Sequence, residues 1–252
     1  MSILWYPTPK QSPLLGSLGM GGGIGSNLVT SAGTALNFPD GAVYAFSGNN
    51  TSDDATGNGT TITYDSKGYS TTQKKWTDYT HSFNLPGTTN SNSYVGTPGF
   101  TPSSSGWSVE FWVYPTAWAG KYLFAASSPR ADTTGSICIN VQSAEFRFYR
   151  HFYGTSSTVS ETTGDYLDQW NFIQIYYDTT NTKYRINGTE KASFSGNTNT
   201  PPTFLMFGNG GNNDGSGGPG GEFPITGFIQ DIVVYNGVNR GAQSVPTTPF
   251  GL

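Results

Sequence analysis

Two alternating stretches carry the side chains best suited to chemistry. In Trp107–Tyr114, one parity holds Trp107, Val109, Phe111 and Val113, and the other Ser108, Glu110, Trp112 and Tyr114. Successive side chains of a strand point to opposite faces, so the first set makes an apolar face and the second a mixed one. Trp170–Asp178 behaves likewise, with Ile173, Ile175 and Tyr177 on one side and Phe172, Gln174 and Tyr176 on the other. The strand-like run 145–152 adds Arg147, Tyr149 and His151. Aromatic rings stack on the apolar C–H faces of sugars, while neighbouring polar groups bind their hydroxyls. Glu110, Trp112, Tyr114, Arg147, Tyr149, His151, Gln174 and Tyr176 therefore form a candidate glycan-binding set. The same aromatics can instead make cross-strand pairs or a contact between subunits.

Catalytic constellations are harder to assemble. Retaining glycoside hydrolysis needs two carboxyl groups about 5–5.5 Å apart. Asp165 and Asp168 are the nearest such pair beside a strand, but they sit in the loop before Trp170, and Glu110 and Glu145 are isolated. The two histidines, His81 and His151, are far apart in sequence, and no Gly-x-Ser-x-Gly elbow is present. With the single Cys138 they do not make a zinc set. Cys138 lies in the apolar run Ile137–Ile139 and reads as a small buried residue. The expectation is a protein that is not an enzyme, with no catalytic residue.

The elements that must position these residues follow from composition. The 252-residue chain has 34 Gly and 15 Pro, aromatics at 15% and charged residues at 11%. Few helix formers and many strand and turn formers predict an all-β protein. The net charge of −4, with Lys74-Lys75 as the one adjacent basic pair, argues against nucleic acid as a partner. No apolar run is long enough to insert in a membrane as a helix, and Leu14–Ile24 is too rich in glycine for a signal peptide.

About a dozen strand-like runs separated by turn residues extend from Gly41 onward, at the spacing of a β-sandwich. Asn187-Gly188 between two such runs predicts a hairpin with a type I′ turn. The segment 208–222 is almost entirely Gly, Asn and Ser and reads as a flexible connection. From Gln11 to Pro39 there is no charge, and the glycine-rich stretch has little side chain to bury. The domain reading is a docking arm at 1–40, a sandwich at 41–240 and a short tail at 241–252. Leu14, Leu15, Leu18, Met20 and Ile24 would anchor the arm to a partner.

Three segments in order, WSVEFWVYP (107–115), WNFIQIYYD (170–178) with KYRING (183–188), and GFIQDIVVYN (227–236), resemble the laminin-G-like, concanavalin A-like jelly-roll domains. The resemblance covers roughly 41–240 and implies a two-sheet antiparallel jelly-roll sandwich with an extended Gly-rich N-terminal arm. Enzymes of this fold carry a Glu-x-Asp-x-Glu type strand, which is absent here. Family members often hold a structural Ca²⁺, which the resemblance would place at Asp53, Asp54 and Asp231; calcium takes six to eight oxygens from such loops. Residues 13–23, PLLGSLGMGGG, resemble N-terminal segments of virion and tail proteins from marine tailed phages. Together these imply a non-enzymatic phage structural or attachment protein, located in the virion, on the capsid surface or tail. Its arm would bind other virion proteins, and it would form a homo-oligomer. The alternative is a carbohydrate-binding lectin or adhesin that meets host-surface glycans, and the third reading is a glycoside hydrolase of the same fold.

Overall fold

In the computed structural model, the residues described are 27–29, 35–37, 41–49, 54–56, 63–64, 68–87, 94–118, 121–127, 137–142, 145–151, 156–158, 162–198, 202, 204–209 and 225–250. The strands in chain order are β1 Asn27–Val29, β2 Ala35–Asn37, β3 Ala42–Phe46, β4 Thr63–Tyr64, β5 Tyr69–Ser70, β6 Ser82–Pro86 and β7 Val95–Pro98. They continue as β8 Trp107–Ala117, β9 Lys121–Ser127, β10 Cys138–Gln142, β11 Glu145–His151 and β12 Ser156–Thr158. The last are β13 Asn171–Tyr177, β14 Asn181–Ile186, β15 Thr189–Ser195, β16 Phe204–Phe207 and β17 Thr226–Asn236. A 3₁₀ turn at Thr163–Tyr166 is the single helical element among the described residues.

All pairings between these strands are antiparallel, and the strands form two large sheets. One runs β15-β14-β13-β8-β17-β6-β5, with β3 also on β17; the other runs β12-β11-β10-β9-β16-β7-β4. β1 and β2 pair separately as a hairpin. The protein is thus the all-β two-sheet jelly-roll sandwich that the strand pattern predicts. The apolar parities of β8 and β13 face inward: Trp107, Val109, Phe111, Val113, Ile173, Ile175 and Tyr177 all belong to the buried core. Phe111 of one sheet meets Phe124 and Phe207 of the other at ring-centroid distances of 6.0 and 5.0 Å. Burial of each such side chain contributes about 1.5–3 kcal/mol.

Local chemistry fixes the register. Asn187 and Gly188 have φ of 49° and 80°, as a type I′ hairpin requires, and they join β14 to β15. β8 does not end at Pro115 as the proline suggests but runs on to Ala117. Pro115 lies opposite Gly227, where the register with β17 shifts, so the missing N–H falls at an irregularity in the ladder. A Cβ on Gly227 would lie 2.1 Å from the Tyr114 carbonyl oxygen, so only glycine fits there.

β17 is the hub. One side pairs with β8, while the other pairs first with β6 and then with β3. The changeover falls at Asp231, which sits in a register shift between Gln230 and Val233 with φ of 50° and donates its N–H to the Ser47 carbonyl. The segment 208–222, read as a flexible connection, lies outside the described residues beyond Asn209.

Candidate functional site

The outer face of the eight-stranded sheet collects the polar parities of its strands. Gln174 stands opposite Glu110, Phe172 opposite Trp112 and Tyr176 opposite Ser108. Gln174 Nε2 donates to Glu110 Oε1 at 3.2 Å, and Ser108 Oγ donates to the same oxygen at 3.0 Å. These side chains are not open to solvent: Glu110, Trp112, Gln174 and Tyr176 are 1–3% exposed.

Two irregular chain segments cover them. The first runs from Gln73 to His81. Its Lys75 Nζ sits 4.0 Å from the centre of the Trp112 ring, and Trp76 meets that ring edge-on at 5.7 Å. Partial burial lowers the Lys75 pKa. The second segment is Gly237–Phe250. Arg240 Nε and Nη2 donate to the two Glu110 oxygens at 3.1 and 3.4 Å, and the guanidinium lies 4.0 Å over the Tyr235 ring. The Gln174 amide grips the backbone of this segment from both ends, donating to Gly241 O at 3.0 Å and accepting from Gln243 N at 3.1 Å. Arg185 Nη1 adds a bond to Gln243 O at 2.6 Å. Residues 241–250, read from sequence as a tail, are bound onto the sheet.

Asp231 ties both segments down. Its carboxylate accepts from Trp76 Nε1, from Tyr79 Oη at 2.9 Å and from Phe250 N at 3.3 Å. Burial raises its pKa to about 7, against the lowering effect of those donors. The Asp54 carboxylate accepts from the N–H groups of Ala45 and Thr56 and from Thr56 Oγ1 at 2.7 Å. Of the three calcium candidates, Asp54 binds a turn beside β3, Asp231 binds the covering segments, and Asp53 lies outside the described residues. Among the described residues no group of three or more His, Cys, Asp or Glu side chains is clustered as metal ligands.

The eight-residue glycan set is divided. Glu110, Trp112, Tyr114, Gln174 and Tyr176 share one sheet, whereas Arg147, Tyr149 and His151 lie on β11, in the other sheet. Phe146 and Phe148 of β11 point into the core, so Arg147 and Tyr149 face the opposite exterior of the sandwich. The eight candidates therefore do not lie on one sheet. Alternation fixes the face within a strand, but not the sheet that the strand joins. The anchoring candidates Leu14, Leu15, Leu18, Met20 and Ile24 lie outside the described residues.

One end of the outer face escapes the covering segments. Phe228 pairs with Tyr114 across β17 and β8, and Trp170, next to Asn171, falls in line on the other side of Tyr114. The ring centroids are 5.6 Å apart for Tyr114–Trp170 and 6.1 Å for Tyr114–Phe228, with interplanar angles of 66° and 64°. All three rings are half-buried, and none belongs to the buried core. Trp170 Nε1 has no hydrogen-bond partner among the described residues. Asn84 lies opposite Phe228 at one end of the row, whereas Asn171, next to Trp170, has the inward parity of Ile173, is 2% exposed and is held by Tyr166 O, Gln169 O and Asn187 Nδ2. Of these three rings the sequence reading singled out Tyr114 alone. Continuing the alternation Phe172, Gln174, Tyr176 back by two residues would have found Trp170.

Comparison with curated protein sequences finds no match. Among solved structures, the fold is similar to domain 4 of AbnA, a GH43 extracellular arabinanase from Geobacillus stearothermophilus, solved in complex with arabinotriose. The TM-score is 0.52 at 19% identity, over 78% of this chain and 92% of that one. It is also similar to the binding domain of botulinum neurotoxin DC in complex with SialylT, with a TM-score of 0.53 and 13% identity, over 82% of this chain and 49% of that one. The same toxin domain in complex with rat synaptotagmin II gives a TM-score of 0.52 at 12% identity, again over 82% of this chain and 49% of that one. This chain thus spans about half the length of the toxin domains. The family model described as the Concanavalin A-like lectin/glucanases superfamily matches residues 87–243, which is more than half of the chain and reaches from the end of β6 into the second covering segment; the chain belongs to that superfamily.

Proposed function

We propose that the protein is a non-catalytic carbohydrate-binding module that holds a glycan on the row Trp170–Tyr114–Phe228. The observation that carries this reading is the row itself: three half-exposed rings lie side by side on a sheet face whose central Glu110, Trp112, Gln174 and Tyr176 are covered. Half-exposed aromatic rings with the amide of Asn84 beside them suit the apolar faces and hydroxyl edges of sugars. Similar folds solved with arabinotriose and with SialylT add support. A glycan array with the wild-type protein and Tyr114→Ala tests the reading. The expected outcome is a set of hits that Tyr114→Ala loses while its melting temperature stays within a few degrees of wild type. Hits that survive the substitution would refute the site.

The narrower role of virion attachment depends on Leu14, Leu15, Leu18, Met20 and Ile24, outside the described residues. It gains nothing from the fold or from the comparisons, so the binding role takes first place without it.

A further inference from the structure

From the shape and charge of the aromatic row we infer its ligand class: a soluble, neutral, twisted glycan chain, rather than a crystalline polysaccharide surface or a sialylated glycan. The inference rests on the binding reading above and narrows it. A flat crystalline face can stack on several rings at once only if those rings are nearly coplanar. Here Tyr114 is inclined at 66° to Trp170 and at 64° to Phe228, so no plane touches the faces of all three. A chain whose successive sugars rotate about its axis presents its apolar faces in different directions and can meet such a row.

Trp170 adds adaptability. Its indole N–H has no hydrogen-bond partner among the described residues, so a turn of the ring breaks no hydrogen bond to them. A turn that brings the N–H to a sugar hydroxyl would satisfy the donor as well. Charge then selects neutral sugars. Beyond Phe228 the row ends at the uncharged Asn84. Exposed Asp168, two residues before Trp170, would repel a carboxylate. Lys75 lies over Trp112 in the adjoining row, and Arg147 is on the far exterior of the sandwich. Recognition of an anionic sugar wants a charge-assisted donor, and the row offers none.

Affinity electrophoresis in gels containing soluble arabinan, xylan or mixed-linkage glucan tests the inference, alongside depletion by microcrystalline cellulose and titration with lactose and sialyllactose. At least one soluble neutral polysaccharide should retard the wild-type protein, and Trp170→Ala should weaken that binding about tenfold, the scale of one lost stacking contact. Microcrystalline cellulose should not deplete the protein. If Trp170→Ala lowers the melting temperature by many degrees, Phe228→Ala, at the other end of the row, decides the point. Depletion by microcrystalline cellulose, or tighter binding of sialyllactose than of lactose, would overturn the inference while leaving a carbohydrate-binding module in place. Failure of every glycan to bind would instead remove the binding reading itself.

Discussion

β8 passes through two regions of the same outer surface that end in opposite conditions. At Glu110 and Trp112 the face lies under Lys75, Trp76 and Arg240 and is as buried as the core. At Tyr114, two residues on with the same parity, the ring remains half-exposed beside Trp170 and Phe228. Strand periodicity treats the three residues alike. What separates them is irregular chain from elsewhere in the sequence that crosses one part of the sheet and not the other. The covered part has become a second, polar layer of the interior, and the uncovered part is what remains for a ligand.

Substitutions can break or sharpen this contrast. The largest effect should come from Phe111→Asp, which places an unpaired charge among the core rings of both sheets. The expected result is an unfolded protein by circular dichroism; a soluble variant with the wild-type melting temperature would refute the inward face. Arg240→Ala comes next. It leaves the Glu110 carboxylate, 1% exposed, without its cation, and loss of one partner of a buried pair costs about 3–5 kcal/mol. Denaturant unfolding should show that loss, and Glu110→Gln in the same chain should restore part of it. A cost below about 1 kcal/mol would mean that the covering segment is only lightly attached.

Asp231 supplies a pH test of the same attachment. Tyr79 Oη lies 2.9 Å from Asp231 Oδ1 and 2.7 Å from the Phe250 carbonyl oxygen, yet it has one proton to give. The folded-state pKa of about 7 lies above the unfolded value of about 3.9. The stabilisation is therefore full below pH 4 and is lost as pH rises toward 7, by up to a few kcal/mol. The stability advantage of wild type over Asp231→Asn should shrink between pH 4 and pH 8; a constant difference would refute the burial-raised pKa of Asp231. The smallest effect belongs to the open end, where Phe228→Ala should cost about 1 kcal/mol in stability, the scale of one aromatic pair.

The strands were legible because their residues alternate. The inward set Trp107, Val109, Phe111 and Val113 and the turn at Asn187-Gly188 follow from local pattern alone. The placement of β11 did not, since Arg147 and Tyr149 have the same mixed parity whichever sheet accepts them. The covering segments were invisible for a related reason. Gly237–Phe250 has no period and makes few backbone ladder bonds; it is held by side chains such as Gln174, Arg185 and Glu110 that reach up from the sheet. Glu110, an acid among apolar neighbours on a central strand, was the one hint that a cation had to come from elsewhere.

The place of β17 at the centre of its sheet also governs how the protein is made. β3, β6 and β8 all wait for a strand whose first residue is Thr226, and among the described strands Ala42–Phe46 pairs with Ile232–Tyr235 alone. Contacts so distant in sequence close large loops before they reward the chain, which slows folding. On the ribosome, the early strands must persist as unpaired edges until almost all of the described chain has emerged.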